Sequence, residues 1–267
     1  MTLNLRAYRA DDSFEDAGFE PQFVAEVHGK AVGCAKNIWW DEADGTRLHL
    51  LLGWIAPDRR GRGHGRELLA WQENQARTEA TDTSHFGVNV DDESVRRLAV
   101  AAGYDIAFTR VRMTVELEEP AAANLPAGVE LRPAGPADHR AVFDGNAEVF
   151  GGSSFGYQQD TFEEFEQDVA DDFPDYDLWT LGWEGDRLVG WVVSGPDDTP
   201  WVGVVADWRR RGLASALLRA NHAALWRRGV RRTGLWTVAE NRTGSVALYE
   251  RAGYRVTVRQ PRYRKAV

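Results

Sequence analysis

The chain has 267 residues, 43% of them hydrophobic and 27% charged, with a formal net charge of −9 and a single cysteine, Cys34. At roughly 150 residues per domain this is room for two soluble domains with real cores, and no run reaches the ~20 apolar residues of a membrane helix. No basic excess exists to replace counterions on a nucleic acid, and one cysteine can form neither an internal disulfide nor a thiolate zinc cluster; the expectation is a cytoplasmic protein that binds neither nucleic acid nor membrane.

The first residues, MTLNLRAYRADD, hold no apolar stretch of the signal-peptide kind. Strands are expected over 3–9 and 22–28, with only about a dozen residues between them. IAPDRRGRGHGRELL, residues 55–69, then carries a strand end into an arginine- and glycine-rich turn and a helix. AAGYDIAFTR follows at 101–110, and Pro, Gly and Ala interrupt both hydrophobic periods over 118–128. Beyond this break the pattern returns: VVADWRRRGLASALL lies 149 residues after the first turn, and RAGYRVTVRQ 150 residues after the first AAGY stretch. Two matches at nearly one offset indicate a duplication. The division expected is 1–118, a linker at 119–128, and 129–267.

The second copy is predicted as a strand at 129–132, a helix over 136–150 and an acidic helix over 160–177. The acidic segment holds nine acids and no base, and Phe162, Phe165, Val169 and Phe173 recur at helical spacing as one buried stripe. Strands at 178–183 and 188–194 are joined by the hairpin signal Glu184-Gly185-Asp186. A strand at 201–205, a helix over 212–228, a strand at 234–239, a helix over 243–251 and a strand at 254–258 complete the copy. The first copy has no room for the early pair of helices.

Strand, Arg-x-x-Gly-x-(Gly/Ala), helix is an anion-binding construction. Small residues let the backbone approach a ligand, and the N–H groups opening a helix are unpaired donors at the positive end of a dipole. Arg60, Gly63 and Gly65 fit it in the first copy and Arg209, Gly212 and Ala214 in the second. A tight surface turn is the plain alternative, but its duplication after a strand and before a helix argues against it. It is not a P-loop, since no Gly-Lys-Ser/Thr follows.

These turns, and ENRTGSVALYERAGY at 240–254 about 44 residues later, resemble the GNAT superfamily of acyl-coenzyme A N-acyltransferases. The resemblance covers both halves and is strongest in the second. The tandem arrangement, complete only in its later copy, is also similar to that of the mycothiol synthases, for which this chain is short. The fold implied is α+β: two tandem GNAT domains, each a mixed, mostly antiparallel sheet splayed at the cofactor site and flanked by helices.

By the same resemblance acetyl-coenzyme A is the cofactor, with Val202 and Val204 beside its pantetheine arm. Arg209, Arg210, Arg211, Gly212, Leu213, Ala214 and Ser215 would cradle its pyrophosphate, and Asn241 would stand near the pantetheine or the departing thiol. Ile55 and Arg60, Gly61, Arg62, Gly63, His64, Gly65 and Arg66 are the matching cofactor residues of the first copy. Tyr249 matches the tyrosine that protonates the leaving thiolate. A base is needed because an alkylammonium is largely protonated at neutral pH, and a backbone N–H near Val204 is the expected oxyanion donor. No carboxylate lies between Trp201 and Val205; Asp197 and Asp198, just ahead, are the nearest, and Asp198 is the candidate because it stands where mycothiol synthase-like sequences place a glutamate, against a plain Pro-Asp-Asp-Thr-Pro turn.

In the first copy the tyrosine position falls on Ala99 and the asparagine position on Asp91, so that half is expected not to turn over substrate. Trp191 and Trp201 are candidates to face the acceptor cleft, and the acidic helix to form a wall that attracts a cationic amine. The six histidines show no metal-ligand spacing, so no metal is expected. The resulting reading is an N-acetyltransferase acting on a small, cationic amine, as a monomer or homodimer. A non-catalytic coenzyme A sensor or scaffold, and an enzyme using a longer acyl chain, stay open.

Overall fold

A computed structural model describes residues 3–90, 92–119, 122–152, 155, 160–241 and 243–267. The first repeat opens with β1 (Asn4–Ala7), β2 (Phe23–Val27), β3 (Lys30–Asp41) and β4 (Arg47–Ile55), an antiparallel run. His28 and Gly29 both take positive φ, 50° and 72°, so the β2–β3 hairpin turns in two residues with the twist that right-handed strands require. Between β1 and β2 there is one short 3-10 turn, Glu15–Ala17, and no α-helix among the described residues. Next come α1 (His64–Ala76), β5 (Ser84–Asn89), α2 (Glu93–Ala101) and β6 (Asp105–Glu116). β5 runs parallel to β4, paired from Arg47 opposite Ser84 to Leu50 opposite Gly87, after which the two have no shared register.

The second repeat contains β7 (Glu130–Arg132), α3 (His139–Phe150) and α4 (Phe162–Asp172), followed by β8 (Thr180–Glu184), β9 (Arg187–Val193) and β10 (Trp201–Val204). After these come α5 (Leu213–Arg227), β11 (Arg232–Val238), α6 (Ser245–Arg251) and β12 (Arg255–Ala266). In α4 the foreseen stripe is inside: Phe165 and Val169 are buried and Phe162 and Phe173 pack on the same core. Thr161 caps this helix, its Oγ1 accepting from the Glu164 N–H while the Glu164 carboxylate accepts from the Thr161 N–H, 2.8 Å. Among the described residues no helix is long and apolar enough to cross a membrane.

The compact units do not follow the break expected at 119–128. One is Met1–Thr109 together with Gln260–Val267; the other is Arg110–Arg259. Each takes a strand from the far repeat, because an open sheet edge needs a partner for its N–H and C=O groups. In the first unit the end of β12 pairs with β5, from Arg262 opposite Asn89 to Ala266 opposite His85, and Tyr263 joins the core. In the second the end of β6 pairs with β11, from Arg110 opposite Val238 to Glu116 opposite Arg232, and Val111, Met113, Val115 and Leu117 enter its core.

Candidate active site

The two arginine-rich turns share one backbone path. After β10, Arg209 is extended, Arg210 has φ 60° and Gly212 φ 83°, and α5 begins. After β4, Arg60 is extended, Gly61 has φ 74° and Gly63 φ 89°, and α1 begins. The first arginine of each turn braces it: Arg209 Nε donates to the Val204 carbonyl, 3.1 Å, and Arg60 Nε to the Ile55 carbonyl, 3.0 Å. Arg211 lies over the Trp208 ring and Arg62 reaches the Asp58 carbonyl, so these side chains serve the turn rather than standing free.

A pyrophosphate fits this backbone. A Cβ added at Gly63 or Gly212 would meet nothing within 4 Å, and neither glycine carries a side chain to cap its helix. The N–H groups of Leu213, Ala214 and Ser215, and of His64, Gly65 and Arg66, open helices and have no carbonyl a turn back in the α pattern; Arg66 makes a 3.0 Å bond to Gly63 instead. Arg210 holds the left-handed region without being glycine, a conformation that costs on the order of 1 kcal/mol and points to function. In the first turn His64 is buried, with Nδ1 lacking a partner among the described residues.

β10 and β11 lie in different sheets, linked just ahead of β10 by the Thr199 N–H to the Gly234 carbonyl, 2.9 Å. Val205 donates to Val189, so by antiparallel alternation Val202 and Val204 turn their N–H and C=O groups away from β9, into the open side. The Val204 carbonyl is already engaged by Arg209, leaving its N–H as the available donor. Close approach decides Gly203: a Cβ there would stand 2.2 Å from the Trp191 ring. Trp191 is consequently buried, its Nε1 donating to Asn146 Oδ1 at 2.9 Å, and it does not face a cleft as expected. Trp201 is half-buried against Phe165 of α4 and Phe173 just beyond the helix end.

Tyr249 sits on α6, 7% exposed, and its hydroxyl has no hydrogen-bond partner among the described residues. Burial holds that hydroxyl well above its ordinary range, so it stays protonated at neutral pH. Asn241 spends its Oδ1 on the turn ahead of α6, accepting from the N–H and hydroxyl of Thr243 at 2.9 and 2.8 Å. At the matching place in the first unit Ala99 is buried and has no hydroxyl to offer; Asp91 lies outside the described residues.

Asp198 belongs to a tight turn, closed by the Gly195 N–H to the Asp198 carbonyl, 2.8 Å. Sequence reasoning missed its partner. Arg112, from the end of β6, donates through Nη1 to Asp198 Oδ1 and through Nη2 to the Asp197 carbonyl, 3.0 Å. It lies over the Trp236 ring and against Gly234. The neighbouring Tyr254 hydroxyl pairs with His222 Nε2 at 2.9 Å. It is held above its ordinary range chiefly by burial, with Tyr249 and Asp198 adding to the rise and Arg112 opposing it, which puts all four groups in one neighbourhood. One signal for this pair existed: Tyr104 and Glu73 are the matching positions in the first repeat, and they too are bonded, 3.0 Å.

The model of the acetyltransferase (GNAT) family matches twice, at residues 3–104 and 143–254. A mycothiol acetyltransferase of Geodermatophilus obscurus is 33% identical over 217 residues, 75% of this chain and 68% of that one. One of Cellulomonas flavigena is 30% identical over 220 residues, 75% of this chain and 62% of its own length; the chain thus spans about two thirds of the curated relatives it matches. Among solved structures, a GCN5-related N-acetyltransferase from Sphaerobacter thermophilus is 29% identical with a TM-score of 0.70, covering 93% of this chain and 82% of that one. A tandem GNAT protein from the clavulanic acid biosynthesis pathway shares the fold at 19% identity and a TM-score of 0.63, covering 91% of this chain and 81% of its own. Two family domains matched in series, on the units that carry the paired turns, make this chain a tandem member of the acetyltransferase (GNAT) family.

Proposed function

We propose that this acetyltransferase moves an acetyl group from acetyl-coenzyme A to the primary amine of a small, cationic acceptor, by direct attack in the second unit. The observation that carries the reading is Tyr249: a buried tyrosine whose hydroxyl stays protonated and has no hydrogen-bond partner among the described residues, and whose counterpart is Ala99. The names of the two curated relatives support a small-molecule acceptor.

When bound, the acetyl thioester supplies an electrophilic carbonyl and a sulfur leaving group. The turn from Arg209 to Ser215 would hold the pyrophosphate and Val202 and Val204 the pantetheine. The Val204 N–H is the donor for the developing oxyanion. Asp198 Oδ2 receives one proton of the acceptor's ammonium; the Tyr249 hydroxyl gives its proton to the departing sulfur and is restored by the second proton that the nitrogen sheds as the amide forms. Most of the rate then comes from positioning.

Tyr249→Phe keeps the ring and removes the proton. Turnover should fall roughly 10²-fold, the scale of a lost general acid, with coenzyme A affinity by calorimetry nearly unchanged. Unaltered turnover removes Tyr249 from the mechanism. Coenzyme A binding without acetylation of any amine in a broad panel would support a sensor instead.

A further inference from the structure

Asp198 is a carboxylate fixed from one side only. Its Oδ1 accepts from Arg112, whereas Oδ2 has no donor among the described residues and the side chain is 40% exposed. Arg112 is the more enclosed partner, 20% exposed, and both its outer nitrogens are in use, one on the carboxylate and one on the Asp197 carbonyl. A planar fork that grips a side chain and the adjacent backbone together sets the carboxylate's orientation as well as its place, which an ammonium on a flexible stem cannot do.

The surroundings are shaped to admit this guanidinium. Gly234, opposite Thr114 in the ladder, leaves the space: a Cβ there would stand 3.0 Å from Arg112 Nε and Nη2 and 2.8 Å from the Met113 carbonyl. The same Gly234 carbonyl takes the Thr199 N–H at the point where β10 and β11 part. Thr257 Oγ1 donates to the Arg112 carbonyl at 3.3 Å. Arg112, Gly234 and the Asp197–Asp198 turn therefore form one brace at the point where β10 and β11 part.

We propose that Arg112 is a positioning residue for the acceptor, turning Asp198 so that its Oδ2 faces the ammonium of a primary-amine substrate. This rests on the reading that Asp198 meets the acceptor. A group lent by the strand of the first repeat thereby takes part in substrate selection by the second, and the acceptor class it suits is an alkylammonium rather than a carboxylate or phosphate. An anion would meet Asp198 Oδ2 in repulsion, and the guanidinium charge beneath is already compensated.

The test uses the intact chain and the best-used amine among glucosamine, spermidine and lysine, with steady-state kinetics, coenzyme A calorimetry and thermal melts on each variant. Arg112→Gln should raise KM for the amine on the order of tenfold, more than it lowers kcat, with coenzyme A affinity kept. Arg112→Lys should recover only part of the loss. Because Arg112 acts through Asp198, Arg112→Gln/Asp198→Asn should be no worse than Asp198→Asn alone. If Asp198→Asn impairs acetylation but Arg112→Gln leaves amine KM unchanged, or if the two losses add in full, the positioning role is overturned and the role of Asp198 survives. If Asp198→Asn costs nothing, or no amine is acetylated, the underlying reading fails and takes this one with it.

Discussion

Ala99 and Tyr249 occupy matched places on matched helices, and the phenol that one carries and the other lacks is what the proposed division of labour between the halves rests on. Their neighbours diverge just as sharply. Where the second unit buries the neutral pair His222 and Tyr254, the first buries Glu73 between Tyr104 and Lys265 Nζ, the latter at 2.6 Å. Burial lowers the His222 imidazole to about 4. A histidine so depressed stays neutral in the fold, while in the unfolded chain it takes up a proton once pH drops below about 6.5. Its contribution to stability is therefore complete above about 6.5 and is lost as pH falls toward 4. Between pH 7 and 5 the loss is about 2 kcal/mol, several degrees of melting temperature. His222→Gln should melt lower than the wild type at pH 7 and lose less between pH 7 and 5; equal losses in differential scanning calorimetry would place the acid-sensitive group elsewhere.

At the scale of the element, α4 is the clearest case of a helix legible before any coordinates. Its aromatic period and its Thr161-x-x-Glu164 start are local signals, and local signals are what a sequence carries. The Gly185 hairpin and the strand-turn-helix of each arginine-rich turn were equally readable. Two features were not. The end of β12 carries Arg262, Arg264 and Lys265, and nothing in that stretch says it is sealed by Glu42 and Glu73. Asp198 could be singled out from its place ahead of β10, but the Arg112 that pairs with it lies 86 residues away, and pairing at that range leaves no period. The packed helix also sorts the nine acids. Glu164 is spent on the cap, Asp175 and Asp177 on Arg228, and Glu166 lies 3.5 Å from His139. Asp160 is held above its ordinary value, first by burial and then by Asp168 and Glu164. Glu163 and Asp168 are the acids to test: Glu163→Gln/Asp168→Asn should raise KM several-fold for spermidine, leave a neutral aromatic amine unaffected, and flatten the salt dependence of the former. Equal responses from both amines would make the helix face a solvated surface and nothing more.

For the whole molecule, the exchanged strands change what counts as a domain. A fragment of residues 110–259 keeps everything in the second unit, whereas 129–267 lacks the strand that covers β11 and the core residues Val111, Met113 and Val115. The first fragment should unfold in one cooperative urea transition and retain acetyl transfer. The second should expose apolar surface and lose the sharp transition. Cooperative unfolding of 129–267 would show that the borrowed strand is dispensable, and inactivity of well-folded 110–259 would move the chemistry out of the second unit alone.

The same exchange sets a timetable for synthesis. β5 and its partner on β12 are separated by more than 170 residues, so the first five strands wait with an unpaired edge while the entire second repeat is translated. At 5–20 residues per second this wait is on the order of ten to thirty seconds. During it Glu42, whose side chain is wholly enclosed in the finished fold, has no Arg264, and Glu73 has no Lys265. A ribosome that stalls anywhere before residue 260 would leave a nascent first unit with an adhesive strand edge, the very feature that chaperones and proteases read as unfinished.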